Sequence, residues 1–143
     1  MKTQDFEQKL TKYADLIVKV GLNLQPGQRL FILAYVLESA PLVRQVVKSA
    51  YQNGSRLVTV LWLDEQLEKI RYQSAPPDSF EEFETWRTDG LLQSVERGDA
   101  FLQIGGRNPE LLKDQDPELI AIANRTIAKH FRPIRDHQGK NSM

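Results

Sequence analysis

Two apolar runs, "RLFILAYV" at 29–36 and "RLVTVLWL" at 56–63, limit what this chain can fold into more than any other feature. A strand wetted on one face alternates apolar and polar residues, whereas a strand covered on both faces reads as an almost unbroken apolar run. Between the runs, Ser39 can cap a helix, and Pro41 sits early enough that its missing N–H costs no intrahelical bond. Leu42, Val43, Val46, Val47, Ala50 and Tyr51 recur at helical spacing, and Asn53-Gly54 can stop the helix. Strand, helix and strand within about 35 residues have the size of a right-handed parallel βαβ unit.

The flanking sequence extends this pattern. Phe6, Leu10, Tyr13, Ala14, Ile17 and Val18 mark a leading helix that Gly21 can end, and Pro26-Gly27 suits the centre of a type II turn. Asp64 can cap a helix bearing Leu67 and Ile70, which Pro76-Pro77 then interrupts. Ser79 to Glu82 has the form of a capping box, so a helix is predicted from there to near Gly98, carrying Phe83, Trp86, Leu91, Leu92 and Val95. "AFLQI" reads as a short third strand closed by Gly105-Gly106. Pro109 and Pro117 each invite a helix start, the second helix running to about Phe131 on Leu119, Ile120, Ala123, Ile127 and Phe131. The expected fold is α/β and three-layered, a short, mainly parallel sheet of about three or more strands with helices on both faces, like half of a Rossmann fold. Residues 1–108 are expected to form the α/β domain and 109–143 a helical segment.

Composition narrows the function classes. At 143 residues the chain suits one domain, and 41% hydrophobic with 27% charged residues is an ordinary globular balance. Nineteen basic residues against nineteen acidic ones leave no electrostatic footprint for nucleic acid. The absence of cysteine excludes disulfides, thiolate metal sites and cysteine nucleophiles, and makes the cytoplasm the natural compartment. "MKTQDFEQKL" is too polar for a signal peptide, and no apolar run approaches the roughly 20 residues of a membrane span.

Ligands of open parallel sheets collect beyond the carboxyl ends of the strands, here 35–39, Asp64-Glu65 and 105–108. Glu38 and Arg107 are therefore the candidate substrate-cleft residues, while Asp64 is better explained as a helix cap. The loop "QIGGRNPE" follows a strand and precedes a helix start, the setting of anion-binding loops, but it lacks both G-x-G-x-x-G and the Walker pattern. His130 and His137 lie seven apart beside Arg132 and Arg135, without the H-E-x-x-H arrangement that would make them zinc ligands. No G-x-S-x-G elbow is present. No catalytic, cofactor-binding or metal-ligating residue is assigned.

The stretch "YADLIVKVGLNLQPGQRLFILAYVLESAPLVRQVVKSAYQNGSRLVTVLWLDEQLEKIR" resembles the start of the thermophilic metallo-aminopeptidases of peptidase family M29. The leading helix running into "GLNLQPGQ", the "APLVR" helix and "VLWLDEQLEKIR" carry the likeness, and "NPELLKDQDPELIAIANRTIAKHFRPIRD" is similar to the stretch leading towards that family's second domain. The resemblance implies a cytoplasmic homodimer of two-domain subunits that removes amino-terminal residues from peptides. It further implies two divalent metal ions, zinc, cobalt or similar, held by the carboxyl-terminal domain. This chain then corresponds to the amino-terminal domain, supplies cleft wall and assembly, and meets peptide substrate only through the other domain. On that resemblance the polar ending "RPIRDHQGKNSM" is expected to lack a packed element, and Met143 to be an interruption of a longer chain. Two other readings remain open: a small-anion or nucleotide binding module using 105–108, and an interaction domain docking through the helix from Pro117 to Phe131.

Overall fold

The computed structural model describes residues 2–35, 37–106 and 108–141, and the side chains of 3–35, 37–106 and 108–138. Its elements in chain order are α1 (Lys2–Leu16), a π-helical turn (Ile17–Gly21), β1 (Leu30–Ala34), a 3-10 turn (Leu37–Ser39), α2 (Ala40–Gln52), β2 (Val58–Trp62), α3 (Glu65–Ser74), a second 3-10 turn (Pro77–Ser79), α4 (Trp86–Glu96), β3 (Ala100–Ile104) and α5 (Pro117–Asn141). These assemble into two compact units, one of residues 1–63 with 98–106, the other of 64–97 with 107–143.

In the first unit the three strands form an all-parallel sheet in the order β2-β1-β3. Leu30 is in register with Val58 and Ala100, and Ala34 with Trp62 and Ile104. Every residue of β1 except Phe31 is buried, so both faces of the central strand are covered, as its unbroken apolar run requires. β2 is an edge strand and only half-buried despite an equally apolar sequence. Hydrophobicity reports the capacity to be buried, and position in the sheet decides how much of that capacity is used.

Leu30, Ile32 and Ala34 project from one face of β1 into a core shared with Ala14 and Val18 of the leading helix, Val43, Val46 and Ala50 of α2, and Ile104 of β3. Buried Ser49 on α2 donates its hydroxyl to Asp15 Oδ1 at 2.6 Å, locking the two helices in register. Pro26-Gly27 makes the expected turn, with Gln28 N–H donating to Gln25 O at 3.0 Å and Gly27 at φ +82°. Gln28 then gathers the amino ends of the strands. Its amide donates to Gly98 O, and its carbonyl accepts from the Ser55 hydroxyl and the Arg56 N–H.

In the second unit, Asp64 caps α3 by accepting from Gln66 N–H at 3.0 Å. The expected helix from Ser79 is not formed. Phe80 is instead buried as the hub of this unit, its ring against Tyr72 at 4.9 Å and beneath the Arg71 guanidinium at 4.7 Å. Arg71 also donates to Ser79 O at 3.0 Å, and the Ser79 hydroxyl turns back to Pro76 O. The residues that would have been the first turn are thereby held as a loop, and α4 begins only at Trp86.

The start predicted at Pro109 is likewise a series of turns, anchored by buried Leu111, and not a helix. The Pro117 start is correct, but α5 continues past Phe131, through Pro133, to Asn141. Ile134 is buried one residue beyond the proline, so the end segment is a packed helix in its described part and not the unpacked tail expected. Packing there outweighs the loss of one backbone hydrogen bond.

Candidate functional site

The sheet topology points to one edge. The connection from β1 runs through α2 to β2 on one side, and the chain then returns to place β3 on the other side, so its direction reverses between β1 and β3. Ligands of open α/β sheets settle at such a switch point, beyond the carboxyl ends of the strands. At that edge Tyr35 N–H donates to Ile104 O at 3.0 Å, and Leu63 N–H to Ala34 O at 2.7 Å, so the three strand ends stay level.

Glu38 lies in the 3-10 turn four residues past β1, with its side chain exposed. Gly105, at φ +82°, turns the chain away from the end of β3, and no atom lies near a Cβ built at Gly106, so the backbone there is open to a ligand's approach. Arg107, the other candidate, lies outside the described residues. Glu65 is occupied structurally: its Oε2 accepts from Asn108 N–H at 3.1 Å and ties the start of α3 to the loop after β3.

The second unit has a feature that sequence reasoning missed. The His130 ring stacks on Phe83 with centroids 4.4 Å apart and 19° between planes, while its Nδ1 lies 2.8 Å from Thr126 O. Glu81, Ile122, Arg125, Thr126, Lys129 and His130 line a shallow, open groove of about 260 Å³. Helical spacing on α5 could have aligned Ile122, Arg125, Thr126 and Lys129 in advance, but not Phe83, whose place depends on the loop that replaced the predicted helix. With the ring stacked and one nitrogen engaged, His130 serves the packing of α5.

A hydrolytic metal centre needs several His, Asp, Glu or Cys side chains converging on one ion. Among the described residues, no group of three or more such side chains is placed to hold one. No helix among them is long and apolar enough to cross a membrane.

Comparison with known proteins supplies what the geometry lacks. The sequence model of the thermophilic metalloprotease family (M29) matches residues 6–143. Aminopeptidase 2 of Geobacillus stearothermophilus is 48% identical over 130 residues, covering 91% of this chain and 31% of that protein. Aminopeptidase AmpS of Bacillus subtilis is 37% identical over 132 residues, covering 92% of this chain and 32% of that protein. The solved structure of wild-type AmpT from Thermus thermophilus superposes with a TM-score of 0.86 at 30% identity, covering 92% of this chain and 33% of that one. The chain thus spans about a third of the length of the relatives it matches.

Proposed function

Because the chain belongs to the thermophilic metalloprotease family M29, we propose that it is the amino-terminal domain of a metal-dependent aminopeptidase, which removes amino-terminal residues from peptides. The observation that carries this reading is the match of over nine-tenths of the chain to about one third of a protein named as an aminopeptidase. In this reading two divalent ions, zinc, cobalt or similar, are held by the other two thirds of such an enzyme, as the metalloprotease family name implies.

In this reading residues 1–108 wall the peptide cleft and 109–143 lead on to the catalytic part. Glu38, exposed beyond the end of β1, places a carboxylate where it attracts the ammonium of a peptide's first residue. Arg107 offers the complementary charge to a peptide carbonyl or carboxylate. The whole enzyme is a cytoplasmic homodimer.

The purified 143-residue chain, assayed on an aminoacyl chromogenic substrate with added zinc, cobalt or manganese, is expected to show no turnover. Substantial hydrolysis by the chain alone would refute this division of labour.

A further inference from the structure

The leading helix carries far more apolar surface than its own unit covers. Ala14 and Val18 are fully buried, yet Phe6, Tyr13, Leu16 and Val20 are 58%, 55%, 56% and 69% exposed. Their spacings of seven, three and four residues put these side chains along one flank of α1 and the π turn, beside half-buried Leu10 and Ile17. At 1.5 Å per residue the strip is about 20 Å long. Single exposed apolar residues need no explanation, but a continuous strip of four large ones is the mark of an interface.

We propose that this flank is the seat on which the metal-binding remainder of the aminopeptidase packs. This rests on the reading of the chain as one domain of an M29 enzyme. Two observations select that occupant. The relatives and the solved neighbour are each about three times as long as the matched region, so in these proteins a large further body accompanies the matching part. The match to the solved neighbour is also close, so the fold is kept in the presence of that body, and the strip is not a core face left open by misfolding. Exposed Lys12 borders the strip, and Lys9 beside it is paired with Asp5 at 3.9 Å, so the margin is of mixed charge and the complementary surface is chiefly apolar.

The test compares one substitution in two settings. A chimera is made in which this chain replaces the matching third of the Geobacillus enzyme, and Leu16→Glu with Val20→Glu is introduced both there and in the isolated chain. Docking predicts that the pair leaves the melting midpoint of the isolated chain within a degree or so, and lowers that of the chimera by roughly 5 °C or more. Equal shifts in the two settings, or no shift in an active chimera, would overturn the docking surface and leave the enzymatic reading intact. A folded chimera that docks as predicted but shows no aminopeptidase activity would sink the functional reading instead. A chimera that fails to fold when the parent folds would overturn both. Sedimentation of the isolated chain provides the last arm: a dimer abolished by Val20→Glu would assign the strip to a second copy and refute the proposal.

Discussion

Phe80 shows how a single side chain can override a local signal. Its sequence neighbourhood, Ser79-Phe80-Glu81-Glu82, fits a helix start, and nothing local reveals that Arg71 and Tyr72, most of a helix away, converge on the ring. Replacing Phe80 by Ala should destabilise the chain by about 3–5 kcal/mol, because the ring is almost wholly buried and its removal leaves a cavity. Denaturant melts would check this, and a loss below about 1 kcal/mol would deny Phe80 its central place. Gly54 makes the opposite point, since its role was legible in the Asn-Gly pair. It stands at φ +92°, its carbonyl accepts from Gly27 N–H at 2.7 Å, and an added Cβ would meet Pro26 Cα at 3.2 Å. Gly54→Ala should therefore cost about 1–3 kcal/mol, measured in the same way. At the candidate edge, Glu38 could be found by counting past an apolar run, whereas the bracing of the strands by Gln28 depends on contacts up to 70 positions away and left no trace in the sequence.

Elements with periodic apolar residues and a flanking turn were readable: β1, α2, β3 and the Pro117 start all stand where the pattern placed them. The failures share a cause, because local signals were weighed without the packing around them. The apolar spacing ended α5 near Phe131, yet the helix runs on through Pro133, held by buried Ile134 and by Arg135 donating to Ala128 O at 2.9 Å. An interior proline is nevertheless disfavoured by about 3 kcal/mol relative to Ala. Pro133→Ala, at an exposed site, should restore the missing N–H and raise the melting midpoint, with helical circular dichroism unchanged or increased. A lowered midpoint would mean that the proline is needed for the path of the helix. α3 gives a second lesson at this scale. Its apolar residues Leu67 and Ile70 are 64% and 51% exposed, while Arg71 and Tyr72 make its internal contacts, so two apolar residues among charges do not define a buried face.

At the scale of the whole molecule, a fold that covers both faces of β1 and an exposed apolar flank on α1 belong to a chain that matches about a third of the length of its aminopeptidase relatives. The fold was legible because burial imprints a period on the sequence. The stacking of His130 on Phe83 was not, because it depends on the loop that replaced the expected helix. Ile32, completely buried at the centre of the sheet, ties the domain together, and Ile32→Ala should cost about 2–5 kcal/mol in a thermal or urea melt. The central claim is that hydrolytic metal is held elsewhere, and the most direct test is equilibrium dialysis of the purified chain against micromolar zinc and cobalt, followed by elemental analysis. The account predicts substoichiometric metal that a brief chelator wash removes. Two tightly held ions per chain, retained through that wash, would contradict it.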